Sequence, residues 1–378
     1  MVLQGRVSLA VGWMTLFVMG VDLFVVSPLL PFISEAYDVS SAKTGWMVSV
    51  FAITYAFAAP FFGWLSDKKG RRVLITIGLL MFAVSNVLTA IAPSFFCLLV
   101  SRVVAGLSVA MITPLIYAII GEIAPSNRRG TWISIVISGH LNALWAGAPL
   151  GTLLEYYLGW RSVFIVLAGC GAILAIVNYI AWRNLPKAET TRKLLGGNLV
   201  RILGSVSVIT LWAIAMYALY VYLGAALYSE NGFTTAEIAY AVTFYGVGAV
   251  FGSLIGGRLS DRFGERKISI AFLLCLPFPL VGIGFLFSTD YLIYFLLFIW
   301  SLLGYIGYAA YQARLSAEYP RERGVVMAWN ITALYGGISL GSLVGGTIIT
   351  YWGYATIPYV CSLIAVICFW MSCQKGSH

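Results

Sequence analysis

The octapeptide GWLSDKKG at Gly63–Gly70 recurs as GRLSDRFG at Gly257–Gly264, 194 positions further along the chain. The same separation of 194 joins further glycines: Gly130 and Gly324, Gly147 and Gly341, Gly151 and Gly345, and Gly159 and Gly353. A constant separation between several pairs of matching residues indicates an internal repeat, and a repeat of this length takes up about half of the chain. We therefore predict two homologous units, residues 1–184 and 204–378, joined by a short polar linker at 185–203.

The composition places both units in a membrane. Of the 378 residues, 61% are hydrophobic and 10% are charged, and the mean hydropathy is +0.92. Soluble domains are roughly half apolar and about a quarter charged, so a water-soluble protein is excluded. Apolar stretches of about 20 residues, long enough to cross a bilayer, lie at 8–28, 43–65, 73–92, 95–120, 131–154, 161–182, 205–228, 236–259, 268–288, 290–313, 325–350 and 355–373. We predict an all-α membrane protein with twelve transmembrane helices in two six-helix bundles related by pseudo-two-fold symmetry.

The first stretch holds Asp22 and runs into Pro28 without a small-residue cleavage site, which indicates a retained helix rather than a signal peptide.

The basic residues predict the orientation of the helices. Of the 23 Lys and Arg residues, all except Lys43, Arg102 and Arg161 lie on one side of the membrane if the N-terminus is inside. Arg314 belongs to this set, because the tenth stretch ends at residue 313. By the positive-inside rule, both termini are cytoplasmic, and we expect a multi-pass protein of the cell (inner or plasma) membrane. The net charge of +9 therefore reflects topology and contact with the lipid bilayer, not a nucleic-acid partner.

The repeated octapeptide lies in the loop between predicted helices 2 and 3. With Arg71 and Arg72 it reads GWLSDKKGRR, which resembles the signature loop of the major facilitator superfamily. The resemblance implies a latch that closes the cytoplasmic side when the transporter opens outward, with the carboxylate of Asp67 pairing with the other bundle. Glycine at position 63 allows a close helix approach, and glycine at position 70 allows a tight turn. The residues expected to form this latch are Gly63, Asp67, Gly70, Arg71, Arg72 and Asp261.

Two charges stand inside predicted helices, Asp22 in helix 1 and Arg102 in helix 4. A charge within a bilayer span is costly unless it is paired or faces water. Counting at 1.5 Å per residue, Asp22 lies about 21 Å from one face and Arg102 about 12 Å from the other. In a core about 30 Å thick, the two residues lie at nearly the same depth, so we predict that they pair. The second unit has no such pair, because Met216 and Leu296 occupy the equivalent positions.

The pattern of Arg102 with Gly106, together with the acid in helix 1, resembles the drug:proton antiporter branch of the superfamily. This resemblance implies that Asp22 and Arg102 couple transport to protons. Burial disfavours a charged carboxylate and a neighbouring guanidinium favours it, so a movement that separates them would drive proton uptake or release. The alternative is a static ion pair that braces two helices.

Helix 5 carries the sequence Gly147-Ala-Pro149-Leu-Gly151, which resembles the glycine-proline motif of antiporters with its proline displaced. Together with Gly106, these residues are expected to allow close helix packing and a kink. His140 lies about two turns earlier and is either a structural residue or a participant in substrate or proton binding. Aromatic residues are dense in the second unit, where helices 7 and 10 are the expected cavity walls. The substrate-cavity candidates are His140, Asn142, Trp212, Tyr217, Tyr305 and Tyr308.

These features predict a secondary active transporter that exports a small amphipathic, drug-like or sugar-like molecule by alternating access. Its partners are the small-molecule substrate, protons and the bilayer, and we expect a monomer. The proton gradient supplies the energy, and no cofactor is expected. The cysteines lack metal-ligand spacing, so no metal is expected. Uptake or facilitated diffusion of a small metabolite is the alternative within transport, and a transport-inactive receptor is a further one. A membrane-embedded enzyme is less favoured, because no catalytic set of residues is apparent.

Overall fold

The computed structural model describes residues 2–125, 129–183, 199–285, 292–320 and 323–374. Within these ranges twelve helices are long and apolar enough to cross a membrane. They are α1 (Gly5–Phe24), α2 (Ser41–Gly63), α3 (Arg71–Ile91), α4 (Phe95–Ile123), α5 (Thr131–Leu158), α6 (Trp160–Ala181), α7 (Val200–Asn231), α8 (Thr235–Phe263), α9 (Glu265–Phe285), α10 (Leu292–Glu318), α11 (Val325–Trp352) and α12 (Tyr354–Gln374). No strand occurs in the described ranges, and the predicted all-α architecture with twelve spans is confirmed. Most of the predicted linker, residues 185–198, lies outside the described residues.

The two units pair their helices in the same way. In the first, α1 packs on α5 and α6, α2 on α4, and α3 on α4 and α6. In the second, α7 packs on α11 and α12, α8 on α10, and α9 on α10 and α12. The pairing agrees with a repeat of six helices, and we refer to the units as the first and second halves.

The turns follow the same register. Gly70 between α2 and α3 has φ of 87°, and its counterpart Gly264 between α8 and α9 has φ of 91°. Gly159 and Gly353, which precede α6 and α12, both have φ of 79°. A positive φ is readily adopted only by glycine, which explains why the repeat retains glycine at these positions.

The first helix of each half is broken. The helix of α1 ends at Phe24 and resumes as Val26–Ala36. Pro28 lacks an N–H, so it cannot donate to the carbonyl of Phe24 one turn earlier. The helix of α7 ends at Tyr220 and resumes as Leu223–Asn231. We expected one unbroken helix from 8 to 28, and the structure instead extends the first segment to Ala36 with a break.

The halves are joined most closely at one end of the bundle. With twelve spans both chain termini lie at the same end, and we call the opposite end the far end. Toward the far end, α2 contacts α11, α5 contacts α8, and the extension of α1 contacts that of α7. At Gly224 an added Cβ would lie 2.5 Å from the carbonyl oxygen of Ser27, and at Gly246 it would overlap the backbone of Trp145. Glycine thus lets backbones of the two halves approach closely at the far end.

Candidate functional site

A buried ion pair joins α1 to α4 inside the first half. Arg102 Nη1 donates to Asp22 Oδ1 at 2.9 Å, and Nη2 donates to Oδ2 at 3.0 Å. Both residues have no exposed surface. The predicted pairing at one depth is therefore present, in the bidentate geometry that gives the strongest arginine–carboxylate contacts.

Apolar groups enclose this pair. The guanidinium lies over the rings of Phe51 and Phe164, 4.9 Å and 5.9 Å from their centroids. One turn along α4, a Cβ on Gly106 would lie 2.5 Å from the carbonyl oxygen of Phe51. Gly106 therefore lets α2 approach α4 at the pair, as the sequence predicts. Arg102 Nε has no partner in the described part of the chain, so one donor is unused in this conformation.

A second buried arginine lies in the second half, where we expected a solvated residue beyond the tenth helix. The helix of α10 continues to Glu318, and Arg314 is only 1% exposed. Its Nε donates to Glu318 Oε1 at 2.7 Å, and its Nη1 donates to the hydroxyl and carbonyl oxygens of Ser372 in α12 at 3.1 Å. Glu318 is a third exposed, so its pair with Arg314 lies at the end of α10, and the bonds to Ser372 connect α10 to α12.

The loop between α2 and α3 is tied to its own half. Arg71 pairs with Glu122 at the end of α4. Arg72 Nε donates to the carbonyl oxygen of Tyr179 in α6 at 2.8 Å, with the guanidinium 3.7 Å above the Tyr179 ring. The side chain of Asp67 lies outside the described part of the structure.

Two other predicted latch positions are open in this conformation. An added Cβ on Gly63 would meet no described atom within 4 Å, so the described residues do not form the close helix approach expected there. Asp261, the counterpart of Asp67 in the second half, is exposed. Among the described residues, neither position makes a contact between the halves in this conformation, and the latch is expected only when the transporter opens outward.

A π-helical turn interrupts α5 at Ala143–Gly147 and ends two residues before Pro149. The added residue of a π turn rotates the helix and often occurs at functional sites. Gly147 and Gly151 pack directly on the side chains of Val21 and Val25 in α1, which is the close crossing predicted for this motif.

His140 precedes the π turn and faces α1. Its ring packs edge-on against Phe24 with centroids 5.1 Å apart. Gly20, one turn before Phe24, lies against the same histidine. Asp22, midway between Gly20 and Phe24, points to the other side of α1, so His140 and Asp22 lie on different faces of the helix. Asn142 lies near His140, and its Oδ1 accepts a hydrogen bond from Trp145 Nε1 at 2.8 Å.

The predicted aromatic candidates of the second half form one cluster. Trp212 stacks on Tyr308 with centroids 4.4 Å apart and meets Tyr305 edge-on at 5.4 Å. The hydroxyls of Tyr217 and Tyr305 lie 3.4 Å apart. Phe24 of the first half stacks on Tyr217 at 6.5 Å. The cluster therefore reaches the boundary between the halves beside the break in α1.

Other residues of this region escaped sequence reasoning. Tyr55 in α2 stacks on Tyr335 in α11 across the boundary, with centroids 3.7 Å apart. Gln312 Nε2 donates to the Tyr308 hydroxyl at 2.5 Å, and Asn330 Nδ2 donates to Gln312 Oε1 at 2.9 Å. The i,i+4 spacing of Tyr308 and Gln312 in an apolar helix was the available signal.

Uncharged hydrogen bonds close the far end. The Ser27 hydroxyl donates to the carbonyl oxygen of Tyr220, and the Tyr220 hydroxyl donates to the carbonyl oxygen of Phe24 at 3.2 Å. This bond satisfies the acceptor that Pro28 leaves without a donor. Between α2 and α11, the hydroxyls of Ser49 and Ser339 each donate to the carbonyl oxygen of the other residue, at 3.4 Å and 3.0 Å.

Comparisons with known proteins agree on the family. The profile of the Major Facilitator Superfamily matches residues 12–225 and 202–373. The chain is 30% identical to the MFS-type transporter YceJ of Bacillus subtilis over 88% of this chain and 86% of the relative. It is 27% identical to the inner membrane transport protein YdhP of Escherichia coli K12 over 97% of this chain and 95% of the relative.

Solved structures share the fold at lower sequence identity. A bacterial homologue of the human lysosomal transporter Spinster, in an inward-facing and unoccupied conformation, has a TM-score of 0.78 and 19% identity, with 98% of this chain and 97% of the other covered. A D-xylose-proton symporter has a TM-score of 0.74 and 17% identity, with 95% and 97% covered. At these identities the likeness concerns the fold alone.

Proposed function

Because this chain belongs to the major facilitator superfamily and is a multi-pass membrane transporter, we propose that it exports a small molecule in exchange for protons by alternating access. It acts as a monomer in the inner (plasma) membrane, with both termini in the cytoplasm. The transported compound is amphipathic, drug-like or sugar-like. The proton gradient supplies the energy, and no cofactor takes part.

The buried pair of Asp22 and Arg102 is the observation that carries the proposal. Removing two charges from water costs several kcal/mol for each ion, which their attraction only partly offsets. A static brace needs no charge, because apolar side chains of similar size would pack as well. A carboxylate whose counter-ion can move away is, by contrast, a group that can bind and release a proton. The position of the pair beside the break in α1 favours such movement.

The contacts between the halves support the alternating-access part of the proposal. The far end is closed by neutral hydrogen bonds, each of which contributes only about 1 kcal/mol net. The basic segments that place the termini in the cytoplasm make the far end the outer side. The conformation is then inward-facing, the state named for the Spinster homologue of similar fold.

The aromatic cluster supports a substrate site at the centre. Trp212, Tyr217 and Tyr308 provide rings at the boundary between the halves, where α7 meets α10 and the first half. Rings of this kind bind the apolar faces of amphipathic compounds. His140 and Asn142 extend the same region on the side of α5.

A transport assay with the purified protein tests the proposal. A thermal-shift screen of drugs, sugars and metabolites first identifies a ligand, since binding at 100 times the dissociation constant stabilises by about 2.7 kcal/mol. Proteoliposomes with an imposed pH gradient should then accumulate that ligand against its concentration gradient, and reversal of the pH gradient should reverse the flux. Flux that follows the ligand gradient at any pH gradient would establish facilitated diffusion instead.

A further inference from the structure

A chain of uncharged hydrogen bonds runs from α11 through α10 to the aromatic cluster. Asn330 in α11 is fully buried, and its Nδ2 holds the Oε1 atom of Gln312 in α10 at 2.9 Å. This contact turns the amide so that Gln312 Nε2 donates to the Tyr308 hydroxyl at 2.5 Å. The Tyr308 ring is itself stacked on Trp212. Both the ring and the hydroxyl of Tyr308 are therefore held in one orientation.

The direction of these hydrogen bonds determines whether the Tyr308 hydroxyl can donate to a ligand or accept from it. A phenolic hydroxyl has one hydrogen to donate and can accept other bonds. Because Tyr308 already accepts from Gln312, its hydrogen is left to donate. Accepting one bond also polarises the hydroxyl and strengthens the bond that it donates. The Tyr308 hydroxyl is thus an oriented hydrogen-bond donor, and a ligand would supply its acceptor.

The location of Tyr308 brings this donor to the boundary between the halves. Its ring stacks on Trp212, whose ring meets that of Tyr217 edge-on with centroids 6.5 Å apart. Tyr217 in turn stacks on Phe24 of the first half. At the same boundary, Tyr335 in α11 stacks on Tyr55 in α2. A ligand between the halves would meet flat aromatic surfaces on both sides and the Tyr308 hydroxyl at one edge.

The two buried arginines of the described ranges are each paired with a carboxylate. Arg102 is paired with Asp22, and Arg314, two residues beyond Gln312, is paired with Glu318. Since carboxylates neutralise both buried arginines of the described ranges, a permanently charged ligand would lose its hydration there without a counter-ion to compensate. An uncharged acceptor such as a carbonyl oxygen has no such cost.

We propose that Tyr308, oriented by Gln312 and Asn330, is a specificity-determining hydrogen-bond donor that selects uncharged planar substrates carrying a carbonyl-type acceptor. This inference rests on the proposed transport function and names the class of its substrate. Tyr308 contacts the substrate, whereas Gln312 is a positioning residue that acts through Tyr308.

Equilibrium binding to the purified full-length protein, without any pH gradient, tests this proposal. The probes are radiolabelled coumarin, which is planar with a carbonyl acceptor, and radiolabelled naphthalene, which has a similar shape without one. For each probe, the affinity of the variant is divided by the affinity of wild type, so the effect of the probe's partition into detergent cancels. Tyr308→Phe should weaken coumarin binding about fivefold to tenfold, the loss expected for one hydrogen bond, and leave naphthalene binding within about twofold.

A second variant and a control separate positioning from packing. Gln312→Leu keeps the Tyr308 hydroxyl but not its orientation, so it should weaken coumarin by about threefold and spare naphthalene. Tyr240→Phe removes a hydroxyl from a residue that is 62% exposed and should change neither probe. Equal losses for both probes, an unchanged coumarin affinity in Tyr308→Phe, or a wild type that binds neither probe would overturn the proposal. Because no gradient is applied, these results stand apart from whether transport is coupled to protons.

Discussion

The rings of Tyr55 and Tyr335 stack 3.7 Å apart across the boundary between the two halves. Toward the far end, the same boundary is held by the reciprocal bonds of Ser49 and Ser339 and by the bond from the Ser342 hydroxyl to the carbonyl oxygen of Gly45 at 2.7 Å. All of these contacts join uncharged groups, so water can replace each bond at a net cost of about 1 kcal/mol. The far-end closure is therefore reversible on the energy scale of a transport cycle.

Removing the paired hydroxyls should shift this equilibrium. The double change Ser49→Ala and Ser339→Ala deletes both reciprocal bonds without adding volume, so at about 1 kcal/mol for each bond the ratio of molecules open to closed at the far end should rise about thirtyfold. Spin labels at the exposed far-end residues Tyr157 and Tyr228, one in each half, report the opening as a longer distance population. Ser162→Ala is the control, because that hydroxyl donates within its own helix turn to Gly159. A distance distribution that the double change leaves unaltered would contradict the role given to these bonds.

Gly106 should be intolerant of any side chain. A Cβ there would lie 2.5 Å from the carbonyl oxygen of Phe51, and overpacking of this kind costs about 1–3 kcal/mol. Gly106→Ala should therefore lower the thermal unfolding midpoint of the purified protein. Gly169→Ala is the matched control, since a Cβ at Gly169 meets nothing within 4 Å. If both changes give the same midpoint as wild type, α2 and α4 are less tightly packed than described.

The ion pair of Asp22 and Arg102 could be predicted from the sequence because burying an unpaired charge is costly. A charge inside an apolar stretch must be paired, and depth along two helices of known spacing limits the partner, so Asp22 and Arg102 could be matched. The repeat was equally visible, because positive-φ turns retain glycine at Gly70 and Gly264. These features depend on local rules that the sequence carries.

Other features depend on tertiary contacts and could not be predicted in this way. Gln312 and Asn330 are neutral residues near helix ends, where no large penalty requires them to pair. The burial of Arg314 was missed because the apolar stretch ends one residue before it, although the helix continues to Glu318. The break in α7 has no proline to mark it, and its partner is the first half, through Ser27 and Tyr220.

The two copies of the loop motif should differ in importance. Asp67→Asn should impair transport while the protein remains folded, because the resemblance of GWLSDKKGRR to the family signature assigns its carboxylate a contact made in only one conformation. Asp261→Asn should have a smaller effect, since Asp261 is exposed and the family resemblance places the stronger latch in the first half. Initial transport rates in proteoliposomes, normalised to folded protein, compare the two. Wild-type turnover in Asp67→Asn would remove this residue from the latch.

Asp22 and Arg102 provide the test on which proton coupling depends. Asp22→Asn should abolish transport driven by a pH gradient while ligand binding survives, because the amide keeps the shape and hydrogen-bonding capacity but cannot exchange a proton. Arg102→Ala leaves a buried carboxylate without its counter-ion and should destabilise the protein by about 3–5 kcal/mol. Removing both charges should restore the unfolding midpoint relative to Arg102→Ala, yet coupling should remain absent.

Comparison with the other buried arginine separates a coupling pair from a brace. Arg314→Gln breaks the contacts with Glu318 and Ser372, so it should lower the unfolding midpoint while pH-driven accumulation per folded molecule is retained. If the pair of Asp22 and Arg102 is only a brace, its variants should behave in the same way as Arg314→Gln. Accumulation against a gradient by Asp22→Asn at the wild-type level would therefore exclude Asp22 as the proton carrier. His140 would then be the next residue to test, because it faces α1 from the opposite side, its ring lies 5.1 Å from that of Phe24, and its Nδ1 has no partner in the described ranges.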